Sequence, residues 1–213
     1  MFYRPATEPH GLRHNPFKAL VAPRPIAWVS SVDANGVVNL APFSFFNAVS
    51  EAPPILMFAA YGKKAGLAEE KDTLTNVLTT KEFVINIVPL ALKDQMNTSA
   101  APFPAEVDEF EAAGLTKAES STVAPPRVAE SPVTFECRFL TRTKLPSTRD
   151  DIDNGAVFGE VTGIHIADDV IVDGIVDVTL YKPLARLGYM QYTAVETAFD
   201  MPRPTTPEPA KVG

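Results

Sequence analysis

The sequence predicts a mainly β protein with short helices, its strands arranged as an antiparallel barrel. Three observations carry this. Residues 133–140, VTFECRFL, alternate strictly: Val133, Phe135, Cys137 and Phe139 point one way, Thr134, Glu136 and Arg138 the other. That period-two pattern marks a strand with one apolar and one wet face. About six strand-like segments follow one another with hairpin turns and few helices between them, which favours a barrel over a doubly wound sheet. The glycine-rich strand-to-helix turn of dinucleotide-binding folds is missing from the sequence.

The elements follow in order. Residues 25–32 read as the first strand, and DANG at 33–36 as a tight turn with Asn35-Gly36 supplying positive φ. The chain returns over 37–40 and then enters a polar loop in which Asn39, Ser44 and Asn47 stand among Phe43, Phe45 and Phe46. A plain core strand does not need those amides and that hydroxyl, and a plain loop does not need the aromatics. A strand over 55–61 follows Pro53-Pro54. Residues 72–80 predict a helix capped by Asp72, with Leu74, Val77 and Leu78 at helical spacing. EFVINIV (82–88) predicts a buried strand, ALKDQMN (91–97) a short helix, and 106–113 another helix stopped at Gly114. AVFGEVTGIHI (156–166) is a long strand in which Gly159 and Gly163 mark bends that curl a sheet.

At 213 residues, 46% hydrophobic and 21% charged, the chain suits a single domain over residues 1–213, with a core of about 20–193. The proline-rich ends, RPATEP and MPRPTTPEPAKVG, predict extended arms that fold against nothing or against a partner. A net charge of −7 argues against a nucleic-acid surface. A single cysteine excludes an intrachain disulfide. No stretch approaches the ~20 apolar residues of a membrane span, and no signal peptide is visible at the N-terminus. The expected location is cytoplasmic.

The blocks APRPIAWVSSVDANGVVNLAPFSFFNAVSEAPPILMF, KDTLTNV, EFVINIV, GEVTGIHI and LARLGYMQY occur in this order between about residues 20 and 193. Together they resemble the flavin reductase-like family of FMN-binding split-barrel proteins, which includes flavoredoxin-like members. The resemblance implies a six-stranded antiparallel Greek-key split barrel that forms a homodimer and holds FMN near the subunit interface. It also implies either an NAD(P)H-dependent flavin reductase, with NADH or NADPH as electron donor and a monooxygenase as possible acceptor, or a non-enzymatic FMN-binding electron-transfer protein.

Carried onto this chain, the resemblance places Asn39, Ala41, Ser44 and Asn47 against the flavin, with Ser30 and Ser31 on the neighbouring strand. Ala41 departs from the threonine or serine usual in the family, so only its backbone is left to serve. Two readings stand at several of these positions. Ser44 and Asn47 either meet the ligand or bond their own turn. Lys71 and Thr73, with Asn76 on the same helix face, either hold a phosphate at a helix N-terminus or simply begin a helix. Lys63 and Lys64 compete for that phosphate. Arg186, in ARLGY, suits a phosphate or the pyrimidine edge of a flavin, or else a surface ion pair. Trp28 is expected in the core, and His165 in a structural role. Cys137 is expected to be an inert core thiol. No catalytic triad and no metal site are expected, because a flavin carries the hydride chemistry itself.

Overall fold

A computed structural model describes residues 1–60, 71–148 and 152–204. The chain opens with α1 (Phe17–Leu20) and β1 (Arg24–Pro25). The strands β2 (Ala27–Val32), β3 (Val38–Phe43), β4 (Phe46–Glu51) and β5 (Pro54–Ala60) follow. Next come α2 (Asp72–Thr80), β6 (Glu82–Ile87), α3 (Lys93–Thr98) and α4 (Glu109–Ala113). A small pair, β7 (Lys117–Ala118) and β8 (Arg127–Val128), precedes the two long strands β9 (Val133–Leu145) and β10 (Asn154–Ile166). The hairpin β11 (Ile171–Val172) and β12 (Ile175–Val176), α5 (Val178–Tyr181), β13 (Leu184–Arg186) and β14 (Tyr192–Ala194) complete the described elements.

Among the described residues the main sheet has seven strands in the order β3-β2-β6-β9-β10-β5-β4. Its neighbouring strands are antiparallel. β3 and β4 stand at opposite edges, yet only Ser44 and Phe45 separate them in the chain. The step from Phe43 to Phe46 spans at most about 11 Å, so the sheet must roll until its edges meet. The result is a barrel split between β3 and β4. Phe45 spans the corner, its carbonyl accepting from Ala59 N–H at 2.7 Å.

The inner face encloses Val29, Phe43, Phe58, Phe83, Ile85 and Cys137, with Leu74 and Val77 of α2 packed against them. Phe58 links this core, its ring 5.1 Å from that of Phe43 and 5.5 Å from that of Phe83. A second cluster joins Ile26, Trp28 and Leu40 to Met96 of α3, Phe110 of α4 and Val128 of β8. β2 is therefore buried on both faces, which explains why AWVSSV lacks alternation. Trp28 is fully buried as expected, with Nε1 donating to Ser99 Oγ at 2.8 Å.

Several expectations are corrected. The sheet has seven strands rather than six, because residues 46–51, expected as loop, form the edge strand β4. The DANG turn has positive φ at Gly36 and not at Asn35. Asp33 organises it instead, accepting from the N–H of Asn35 and of Val37 at 2.8 Å each. Asp72 lies in the first turn of α2 and Lys71 holds the cap position. α4 begins at Glu109 rather than 106, because Asp108 caps it by accepting from Phe110 N–H at 2.9 Å. Gly114 ends it with φ +67° as expected. The 91–97 helix is a 3-10 turn at 90–92 followed by α3.

Of the three residues expected on a wet face of β9, only Arg138 is exposed. Thr134 and Glu136 are both 0% exposed, and the segment ahead of β8 covers Glu136. Glu136 there accepts from Ser121 N–H (2.7 Å), Thr122 N–H (2.5 Å) and Thr122 Oγ1 (2.6 Å), and shares a 2.5 Å hydrogen bond with His165 Nε2. His165 thus has a structural partner. Burial opposes charge on Glu136, but these donors overcome it and hold its carboxyl down at about 2.

The bends in β10 fall where expected, with register shifts at Phe158/Gly159 and Val161/Gly163. A Cβ on Gly159 would run into the Phe83 ring. The N-terminal arm is not free along its length. Arg24, itself buried, donates to the carbonyls of Lys18, Val21 (2.5 Å) and Leu187 (2.8 Å), tying α1 to the segment after β13. No helix among the described residues is long and apolar enough to cross a membrane.

Candidate functional site

The β2–β3 hairpin sets Ser31 directly opposite Asn39. α2 packs on this pair and offers Thr73 and Asn76, three residues apart and hence on one helix face. Asn39 Nδ2 donates to Thr73 Oγ1 at 2.8 Å, and Asn76 Nδ2 donates to Ser31 Oγ at 3.2 Å. All four residues are buried. Inside a protein such groups must be paired, and here they pair with each other, fixing the start of α2 against the hairpin.

A cavity of about 200 Å³ opens beside the first of these pairs. β3 contributes Asn39, Ala41, Pro42 and Phe43, the start of α2 contributes Lys71, Asp72 and Thr73, and the segment 99–103 and Glu109 close the rest. The first N–H groups of a helix have no intrahelical acceptor and carry partial positive charge. Lys71 adds a full charge, its Nζ 5.4 Å from the centre of the Phe43 ring. One wall therefore suits an anion, and Pro42 and Phe43 offer an apolar surface next to it.

Two carboxylates, Asp72 and Glu109, are discordant with an anion there, and Glu109 is the buried one. It is 5% exposed, and its Oε2 accepts from Leu40 N–H at 2.9 Å. Burial, outweighing that hydrogen bond and reinforced by Asp72 and Asp108, pushes its carboxyl up to about 7.

The remaining sequence-derived candidates lie elsewhere. Ser30 faces the outer cluster, its hydroxyl donating to the Pro126 carbonyl at 2.5 Å and accepting from Asn86 Nδ2 at 3.4 Å. Ser44 is half-buried at the corner between β3 and β4. Asn47 is exposed on β4, and its Oδ1 accepts from Ala48 N–H at 2.9 Å, a local backbone bond of the bland kind. Arg186 belongs to β13. Its guanidinium bonds the Tyr192 hydroxyl and the Tyr189 carbonyl (2.5 Å) and lies 4.3 Å from the Tyr192 ring centre. Burial raises the Cys137 thiol far above its ordinary value, so it stays protonated. Lys63 and Lys64 lie outside the described residues. The structure thus brings Asn39, Ala41, Lys71 and Thr73 into one cavity, sets Ser31 and Asn76 behind it, and separates Ser30 and Arg186 from it. Glu109 and the segment 99–103 are additions that the sequence did not flag, since an acidic residue at a helix start reads as ordinary.

The sequence profile of the flavin reductase like domain matches residues 20–184, which include both strands and the helix that build this cavity. The chain belongs to the flavin reductase-like family. A protein of Aquifex aeolicus is 40% identical over 174 residues, covering 81% of this chain and 85% of its own. Among solved structures, nitrilotriacetate monooxygenase component B from Bacillus cereus is similar at a TM-score of 0.83 and 29% identity, over 94% of this chain and 99% of that one. The 2-nitrobenzoate 2-nitroreductase NbaA of Pseudomonas fluorescens is similar at 0.82 and 27%, over 99% and 100%.

Proposed function

We propose that this family member is an FMN-binding NAD(P)H:flavin oxidoreductase that works as a homodimer. The observation that carries the reading is the cavity at the start of α2, where Lys71, Thr73 and Asn39 converge beside Pro42 and Phe43. That donor set fits the phosphate and ribityl end of a phosphorylated flavin: a cation, a hydroxyl and helix amides for the phosphate, and an amide for the polyol. Bound flavin supplies the hydride chemistry with nicotinamide, NADH or NADPH. The chain's own tasks are to hold the tail through Lys71 and Thr73, to lay β3 along it, and to exclude water with Pro42 and Phe43. None of these needs a catalytic acid or base.

A cavity of about 200 Å³ is smaller than the ~300–1,000 Å³ of pockets that enclose whole ligands. The ring system therefore extends beyond it, toward Ser44 and Asn47 at the split, where a second protomer would cover it. Apolar side chains left open on this chain suit such a partner, notably Phe17, Leu20 and Met190, which are 61%, 74% and 89% exposed. The likeness to a monooxygenase component B supports a monooxygenase as the consumer of reduced flavin.

The test is oxidation of NADH and of NADPH by the protein as purified, with and without added FMN. Turnover that requires added FMN supports the reductase. Flavin retained through purification with no turnover of free FMN would assign the chain to the electron-transfer class instead.

A further inference from the structure

We propose that Glu109 makes phosphate recognition in the α2 cavity proton-linked, so that FMN binds with uptake of one proton by this carboxyl group. The inference rests on the flavin reading above and concerns how the same site selects its ligand.

The argument starts from what lines the cavity. Glu109 shares it with Lys71 and Thr73, so an anion held at the start of α2 lies in the same small space as a buried carboxyl group. Two negative charges there would repel in a low-dielectric setting, and the surroundings offer little relief. β3 (Val38–Phe43) and the segment 99–103 carry no charged side chain. From the start of α2 come Lys71 and a further carboxylate, Asp72. On α4's own side Asp108 is engaged by Lys117, while Glu106 and Glu111 line a separate groove beside Gly36 and Val37. α3 offers only the surface pair Lys93–Asp94. One lysine cannot neutralise a phosphate dianion and Glu109 together.

Protonation removes the conflict and adds a donor. The neutral acid keeps one oxygen for Leu40 N–H and turns the other into an O–H that can donate to a phosphate oxygen. Burial has already brought this group close to neutrality near pH 7, so an incoming anion needs to shift its equilibrium only modestly. The cavity becomes a filter for phosphorylated flavin that weakens as pH rises.

The test is isothermal titration calorimetry on the full chain at pH 8, in two buffers of different ionisation enthalpy and without phosphate, with FMN and riboflavin as probes. Above the phosphate's own pKa of about 6 the free FMN phosphate is fully charged, and riboflavin shares the ring system, so the difference between the two reports the phosphate end. The expected result is uptake of close to one proton with FMN and none with riboflavin. FMN affinity should fall by up to tenfold per pH unit above pH 7 while riboflavin affinity stays level. In Glu109→Gln both the uptake and the slope should vanish. FMN binding without proton uptake, or with uptake unchanged in Glu109→Gln, overturns this proposal alone. No FMN binding at any pH overturns it together with the flavin reading. The wild-type comparison of the two flavins needs no variant, so it decides even if Glu109→Gln folds poorly.

Discussion

Asn39 Nδ2 donates to Thr73 Oγ1 at 2.8 Å, and this contact joins the β2–β3 hairpin to the first turn of α2 where the cavity opens. The two residues are separated by 34 positions in sequence, and both are buried. The bond therefore does structural work and sets the geometry of the site at once.

Replacing Thr73 with valine keeps the shape and removes the acceptor, leaving the Asn39 amide buried without it. An unsatisfied buried donor costs about 1–3 kcal/mol, and each kcal/mol lowers the melting temperature of a domain this size by about 2–4 °C. Thermal melts of flavin-free Thr73→Val should show that loss, and Thr73→Ser, which keeps the hydroxyl, should recover most of it.

Glu136 predicts a stability that depends on pH in a defined direction. Its carboxyl sits at about 2 in the folded chain against an ordinary 4.5. A lowered value means the stabilisation is complete above about 4.5 and is lost as pH falls toward 2. Glu136→Gln loses the charged acceptor that pins Ser121 and Thr122 onto β9, and a hydrogen bond to a charged group is worth roughly 1.5–3 kcal/mol. Its melting temperature should lie well below wild type at pH 7, and the gap should narrow steadily in melts taken down to pH 3.

Glu109 predicts the opposite sign. Its carboxyl is raised to about 7 from an ordinary 4.5, so the folded state favours the protonated form and stability falls as pH rises from about 4.5 through 7. Glu109→Gln carries no charge to desolvate, and its side-chain carbonyl can still accept from Leu40 N–H. In flavin-free protein it should match wild type near pH 4.5 and melt higher than wild type at pH 8. Equal melting temperatures at pH 8 would contradict this account of Glu109.

Local pattern made most of the barrel legible. The alternation in 133–140 placed Cys137 inside and Glu136 on the opposite face, and Gly159 and Gly163 marked the bends. What covers Glu136 was hidden, because the segment around Ser121 and Thr122 has no periodicity of its own and is held by hydrogen bonds to distant residues, Glu136, Thr162 and Glu82. β4 was missed because FNAVSE is an edge strand with most residues exposed, so it mixes polar and apolar residues as a loop does. The family resemblance placed Asn39 against the flavin together with Ser30 and Ser31, whereas Thr73 was marked by its place at a helix start. β2 is buried on both faces, and sequence alone could not tell that Ser31 turns toward α2 while Ser30 turns toward Pro126. Glu109 stayed invisible because its significance comes from burial beside a cavity that four separate chain segments build.

The central claim is that the cavity at the start of α2 recognises the phosphate of FMN, and a paired fluorescence titration tests it most directly. FMN and riboflavin are titrated into wild type and into the Lys71→Ala, Thr73→Val double variant, well below its melting temperature. A charge-assisted hydrogen bond is worth about 1.5–3 kcal/mol, so the account predicts that the variant loses FMN affinity by about tenfold or more while its riboflavin affinity is unchanged. Equal losses for the two flavins, or FMN affinity that survives intact, would contradict it.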